Sequence, residues 1–138
     1  MGDTLEYVVV NDPAMPKQSI KILIVDDHPR VREALHVFLE LWDDFEIIGE
    51  ASSGHEAIQL SERLHPDVVL MDIIMPEVDG AKATAIIHQT FPDIRIILMT
   101  SSVDYDPIEL VQRTGASAYL VKNGPAQEFE AMIRKVVS

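Results

Sequence analysis

The chain has 138 residues, 47% hydrophobic and 25% charged, which is typical of one globular domain with its own core. Acidic residues outnumber basic ones by 23 to 11, and this balance excludes a surface built to bind the phosphate backbone of nucleic acids. The sequence contains no cysteine, which excludes disulfides, thiolate catalysis and Cys-bound zinc.

The first nineteen residues differ in pattern from the rest of the chain. Pro13 and Pro16 interrupt any regular element there, and only residues 7–10 are strand-like. We expect a flexible leader over 1–19 and a single domain over 20–138. The leader lacks the basic region of a secretory signal, and no apolar run approaches the roughly 18 residues of a membrane span. The expected location is therefore cytoplasmic, without membrane contact.

From residue 20 onward, a short apolar run followed by an amphipathic stretch occurs five times. The runs are rich in Ile and Val and are mostly continuous, which is typical of strands buried on both faces of a parallel sheet. The runs occupy residues 20–25, 46–51, 67–71, 94–99 and 118–121.

The stretches between the runs have helical periodicity. In the first of them, Val31, Leu35 and Phe38 lie on one helical face. Gly115 follows the predicted fourth helix as a left-handed cap, and Pro125 is expected in the first turn of the last helix. Because each parallel crossover needs a returning helix, the pattern predicts an α/β fold with a doubly wound, five-stranded parallel sheet. Ligands of such sheets bind at the carboxyl ends of the strands.

Polar residues stand at those strand ends. Asp26 and Asp27 follow the first run, Asp72 the third, Thr100 the fourth and Lys122 the fifth. Each alone has an ordinary explanation as a helix cap, loop residue or surface charge. Three carboxylates close together repel one another unless a cation intervenes, and oxygen ligands favour a hard cation such as Mg²⁺. With a lysine and a hydroxyl beside them, the set predicts a site that holds a phosphoryl group.

The same residues, in this order, resemble the signature of response-regulator receiver domains, and the resemblance covers residues 20–138. The order and spacing carry it, since Asp72 precedes Thr100 by 28 residues and Thr100 precedes Lys122 by 22. The matching stretches are Asp26-Asp27-His28-Pro29, Asp72-Ile73-Ile74-Met75-Pro76 with Asp79-Gly80, Thr100-Ser101, and Lys122. The beginning, with Arg32 and Glu33, is similar to the NarL/LuxR-type branch, whose members usually carry a helix-turn-helix output domain. The resemblance implies the flavodoxin-like strand order 2-1-3-4-5.

The resemblance also implies the roles of the acidic residues. Asp72 would attack the phosphorus of a kinase phosphohistidine and become an acyl phosphate. Asp27 would bind Mg²⁺ directly and Asp26 through water, with Asp72 and the main-chain carbonyl of Ile74 as further ligands. Mn²⁺ is expected as a substitute for Mg²⁺.

The remaining site residues would bind the phosphoryl group and respond to it. Lys122 would pair with one phosphoryl oxygen, and Thr100 would hydrogen-bond another. The movement of Thr100 would leave space for Tyr119 to turn inward, a local electrostatic event that biases a two-state surface. The resemblance thus implies a signalling switch rather than a turnover enzyme.

The implied partners are a sensor histidine kinase and, on phosphorylation, a second copy of the chain. The implied output is transcription, through a DNA-binding domain separate from this one, and the domain itself is expected to bind no nucleic acid. A stand-alone receiver that acts through protein–protein contacts is the alternative.

Two departures from the family pattern bear on other functions. Position 123 is Asn, where many receivers have proline, and Ile74 is apolar, which predicts slow self-dephosphorylation because it hinders water attack. An aspartate-nucleophile phosphatase of the haloacid-dehalogenase type would need a second acid at the position of Ile74. A degenerate receiver without phosphorylation is disfavoured because all five key residues are present.

Overall fold

The computed structural model describes residues 18–101 and 106–138, in which five strands alternate with five helices. Residues 1–17, nearly all of the predicted leader with its strand-like residues 7–10, lie outside the described residues, so the boundary at 19/20 stays a prediction. The elements are β1 (Ile20–Val25), α1 (Pro29–Leu39), β2 (Phe45–Ala51), α2 (Gly54–Leu64), β3 (Val68–Asp72), α3 (Gly80–Thr90), β4 (Arg95–Thr100), α4 (Pro107–Thr114), β5 (Ala118–Val121) and α5 (Gln127–Val137).

The five strands form one sheet in the order β2-β1-β3-β4-β5, and every neighbouring pair is parallel. Each strand begins and ends within one residue of its predicted apolar run. The register sets Val25 opposite Met71, Asp72 opposite Met99, and Thr100 opposite Val121. The predicted doubly wound parallel sheet and its strand order are therefore confirmed, and the ends of β1, β3, β4 and β5 lie at one edge.

Hydrophobic clusters on both faces of the sheet explain the continuous apolar runs. Leu23 of β1 belongs to a cluster with Ala57, Ile87 and Leu110, which come from α2, α3 and α4. The next residue of β1 belongs to a second cluster, which includes Leu39 and Ile133 from α1 and α5. Successive strand residues point to opposite faces, so a strand covered on both sides needs apolar residues at every position.

Helix ends follow the local chemistry of the chain. Gly115 ends α4 with a φ of 82°, which confirms the predicted left-handed cap. The prediction that Pro125 lies in the first turn of the last helix was wrong, because α5 begins at Gln127. Pro125 lies in the turn before the helix, where its carbonyl accepts from the Glu128 N–H. Within the described ranges, no helix combines the length and apolar character needed to cross a membrane.

Candidate functional site

An acidic pocket lies where β1 and β3 end. Asp26 and Asp27 directly follow β1, and Asp72 is the last residue of β3, the adjacent parallel strand. Asp26 is completely buried, Asp72 is 2% exposed, and Asp27 is half-buried. One ligand atom from each of these carboxylates and from His28 lies within 4.8 Å of the others. The structure thus brings together the three predicted carboxylates and adds an imidazole to them.

Lys122 supplies the positive charge of the pocket. Its Nζ lies 2.5 Å from Asp26 Oδ2 and 3.1 Å from Asp72 Oδ1. The pairing of β4 with β5 carries the lysine there, since the Lys122 N–H donates to the Thr100 carbonyl at 2.8 Å. The ammonium group therefore bridges the carboxylates at the ends of β1 and β3.

The two predicted switch residues lie on β4 and β5. Thr100 is completely buried at the end of β4. Tyr119 lies opposite Leu98 in β5, and its partly buried side chain packs against the core cluster on the α2–α4 face. Thr100 therefore lies at the pocket's edge of the sheet and Tyr119 lies further back along β5, and their role and movement on phosphorylation stay a prediction.

The electrostatics of the pocket centre on Asp72. Burial and the neighbouring charge of Asp26 raise the pKa of Asp72 to about 6, and contacts with Lys122 only partly offset this rise. Burial alone would lower the pKa of Lys122, but its hydrogen bond to Asp26 and the charges of both aspartates outweigh burial and raise it. Three carboxylates and one ammonium leave the pocket with excess negative charge at neutral pH.

The donor atoms fit a divalent cation. Asp72 Oδ2 is buried and has no hydrogen-bond partner among the described residues, a costly arrangement for a carboxylate oxygen. A hard cation bound by carboxylates, such as Mg²⁺, would lower the cost of burying Asp72 by offsetting the excess negative charge of the pocket. The predicted carbonyl ligand, Ile74, follows β3 with its side chain 52% exposed, and its N–H lies 3.4 Å from Asp72 Oδ1.

His28 and Arg32 contact the pocket directly, although neither was among the predicted site residues. The His28 N–H donates to Asp26 Oδ1 at 2.9 Å, and the His28 Nδ1 lies 3.0 Å from Asp27 Oδ1. Arg32 donates to the Asp26 carbonyl at 2.6 Å and forms an ion pair with Glu50 at 3.2 Å. Sequence position could have indicated these contacts, because His28 immediately precedes α1 and the side chain of Arg32, in the first turn, points back toward the end of β1.

Gly80 holds the start of α3 against the backbone of the pocket. A Cβ at this position would lie 1.9 Å from the Asp72 carbonyl oxygen, so only glycine permits the approach. The Gly80 N–H donates to the Ile73 carbonyl at 2.9 Å, and Asp79 caps α3 by accepting from the Lys82 N–H. The Asp79-Gly80 pair therefore positions the backbone of Asp72.

Known proteins share this arrangement over most of the chain. The family model of the response regulator receiver domain matches residues 22–134. The transcriptional regulatory protein LiaR of Bacillus subtilis is 44% identical over 115 residues, covering 83% of this chain and 54% of LiaR. The response regulator protein VraR of Staphylococcus aureus is 35% identical over 117 residues, covering 85% of this chain and 56% of VraR.

A solved structure extends the likeness to three dimensions. The crystal structure of a LuxR-family DNA-binding response regulator from Staphylococcus aureus has a TM-score of 0.80 and 28% identity, covering 86% of this chain and 99% of that chain. This chain spans about half the length of the curated relatives named above. The relatives support the NarL/LuxR-type branch, and the chain belongs to the response regulator receiver domain family.

Proposed function

We propose that this chain is a phosphorylation-dependent switch of a two-component system and accepts a phosphoryl group on Asp72 from a sensor histidine kinase. One observation carries the proposal: Asp72 Oδ2 is buried without a hydrogen-bond partner in the described part of the chain, beside two further carboxylates and a lysine. A nucleophile needs an oxygen that is not already occupied by the protein.

The transfer forms one bond and breaks one. Asp72 Oδ2 attacks the phosphorus of the kinase phosphohistidine, and the P–N bond to the imidazole breaks as the P–O bond forms. Asp27 would hold Mg²⁺ directly and Asp26 through water, with Asp72 and the Ile74 carbonyl as further ligands; Mn²⁺ would substitute. When bound, the cation offsets charge on the phosphoryl oxygens.

Lys122 and Thr100 would bind the product and report it. Because Lys122 already contacts Asp72 Oδ1, a small shift would bring its Nζ to a phosphoryl oxygen. The Thr100 hydroxyl would hydrogen-bond another oxygen, and Tyr119 would turn inward in response. The phosphoryl group carries roughly 1.5 to 2 negative charges at neutral pH and places them beside Lys122 and Thr100, which would bias the surface formed by α4, β5 and α5.

The signal would pass to transcription through a DNA-binding domain. The relatives named above are a transcriptional regulatory protein and a LuxR-family DNA-binding response regulator, which supports this output. A net charge of −12 supports a domain that does not itself bind nucleic acid. We infer a homodimer on phosphorylation, a cytoplasmic location, and no turnover of external substrates.

An alternative class, the aspartate-nucleophile phosphatase, receives less support. It needs an acid two residues after the nucleophile, and Ile74 is there, with an aliphatic side chain that is half exposed. Among the described residues, the carboxylates grouped at the pocket come from Asp26, Asp27 and Asp72. Steady phosphate release from a small phosphomonoester would favour the phosphatase.

The test is intact mass spectrometry after treatment with acetyl phosphate and Mg²⁺. We expect one phosphoryl group on the wild-type chain and none on Asp72→Asn. Asp93→Asn is the matched control, because Asp93 is an exposed aspartate in the turn before β4, and it should be phosphorylated like the wild type. A phosphoryl group on Asp72→Asn, or none on the wild type, would refute the assignment.

A further inference from the structure

The imidazole of His28 forms part of the acidic pocket. His28 Nδ1 lies 3.0 Å from Asp27 Oδ1 and 3.1 Å from Asp26 Oδ1. The His28 N–H also donates to Asp26 Oδ1 at 2.9 Å, so the main chain of the histidine is held to the same carboxylate. The ring is therefore anchored at the pocket mouth although its side chain is 66% exposed.

A second observation shows that the pocket is suited to a cation. Clusters of acidic side chains often hold no ion, but Asp72 is 2% exposed and its Oδ2 has no hydrogen-bond partner within the described ranges. Lys122 offsets one negative charge, through contacts with Asp26 Oδ2 and Asp72 Oδ1. A bound cation would lower the free-energy cost of this buried, unpartnered carboxylate oxygen and of the excess negative charge.

The donor set determines which cation would bind most tightly. Mg²⁺ takes oxygen ligands almost exclusively, whereas an imidazole nitrogen favours Zn²⁺ and neighbouring transition metals. Zn²⁺ bonds to N and O donors of about 2.0 to 2.2 Å place tetrahedral ligands about 3.4 Å apart. The His28–carboxylate separations of 3.0 and 3.1 Å are already close to this value. The four ligand atoms lie within 4.8 Å of one another, so side-chain rotations would suffice to bring the more distant ones to tetrahedral spacing.

We propose that His28 makes this pocket a Zn²⁺ site, with Nδ1 as the nitrogen ligand beside carboxylates of Asp26, Asp27 and Asp72. The proposal rests on the cation site of the proposed function and adds a ligand and a metal preference to it. Bound Zn²⁺ would compete with Mg²⁺ for the same carboxylates.

The experiment compares Zn²⁺ with Mg²⁺ on the wild type and on His28→Asn. Zn²⁺ affinity is measured by calorimetry at about pH 8, where free imidazole is largely neutral, and Mg²⁺ affinity by amide shifts in NMR spectra. We expect His28→Asn to weaken Zn²⁺ binding at least about tenfold, because losing even an outer partner of a metal ligand costs that much. Its Mg²⁺ affinity should stay within about twofold of the wild type, because Mg²⁺ does not use the nitrogen.

His36→Asn is the matched control. His36 also lies between two carboxylates, at 2.8 Å from Glu50 and 2.5 Å from Glu40, but away from the pocket on α1. Its replacement should leave the tight Zn²⁺ site unchanged. In the wild type, the Nδ1 resonance of His28 should shift on zinc addition, a readout that needs no variant.

The outcomes separate this proposal from the proposed function. Equal Zn²⁺ affinity in the wild type and His28→Asn overturns the histidine ligand, and so does a parallel loss of Zn²⁺ and Mg²⁺ binding. Either result leaves the proposed phosphorylation of Asp72 standing if Mg²⁺ still shifts the amide resonances after β1 and β3 in the wild type. Failure of both cations to bind the wild type overturns the two proposals together.

Discussion

Asp72→Asn should stabilise the fold at neutral pH although it removes the phosphoacceptor. The wild-type carboxylate is 2% exposed, and burial raises its pKa from 3.8 to about 6. Asn has nearly the same shape but no charge to bury, and Lys122 keeps its contact with Asp26 Oδ2 at 2.5 Å. The substitution therefore removes an electrostatic cost and leaves the packing of the pocket in place.

The pKa shift gives the size and the pH dependence of the effect. A rise from 3.8 to about 6 corresponds to about 3 kcal/mol at full ionisation, which we take as an upper bound. A carboxyl whose folded-state pKa is raised contributes stability below its unfolded pKa and loses it as pH rises through the folded pKa. The wild type should therefore lose stability relative to Asp72→Asn between about pH 4 and pH 7.

Urea denaturation followed by far-UV circular dichroism, without divalent cations, measures the difference in unfolding free energy. We expect Asp72→Asn to be more stable by on the order of 1 to 3 kcal/mol at pH 7 and nearly equal to the wild type at pH 4. Mg²⁺ should raise the stability of the wild type more than that of the variant, because it binds the ionised site. A destabilised Asp72→Asn at pH 7, or a difference that does not change with pH, would refute this reasoning.

Three further predictions concern the surroundings of Asp72 and the core. Gly80→Ala should cost about 1 to 3 kcal/mol of stability in urea denaturation, because its Cβ would lie 1.9 Å from the Asp72 carbonyl oxygen. Gly124→Ala should cost less, because its Cβ would lie 3.3 Å from the nearest atoms. Ile74→Asn should shorten the phosphoryl lifetime followed by mass spectrometry, because it admits water beside the acyl phosphate; an unchanged lifetime would contradict the blocking role. Ser61→Ala should be neutral or stabilising by up to about 1 kcal/mol, because the buried hydroxyl has no hydrogen-bond partner among the described residues. A clear loss of stability in urea denaturation would disprove this.

Local signals predicted much of the fold. Continuous apolar runs predicted the five strands to within one residue, because a strand covered on both faces shows its burial at every position. Gly115 predicted the end of α4 through its positive φ, a property of the residue itself. Pro125 was misplaced by two residues, because a proline marks the beginning of a helix less sharply than a side-chain cap does.

The contacts of the site depended on the fold. Asp26 and Lys122 lie at opposite ends of the domain sequence, and only the parallel sheet, which sets the ends of β1 and β5 at the same edge, brings their side chains to 2.5 Å. The strand order itself was predicted from the resemblance to receiver domains, because hydrophobic periodicity reports which faces are buried and not which strands are neighbours. The closeness of His28 to two carboxylates had no periodic signal at all.

The sequence by itself determined the fold class, the five strands and the residues at their carboxyl ends, since these follow from local patterns of burial and from the chemistry of each side chain. Only the tertiary structure decided that Asp72 Oδ2 is buried without a partner, that Lys122 bridges two aspartates, and that His28 joins them. Burial and distance arise when strands far apart in the chain pack side by side, and they set the pKa of Asp72 and the charge of the pocket.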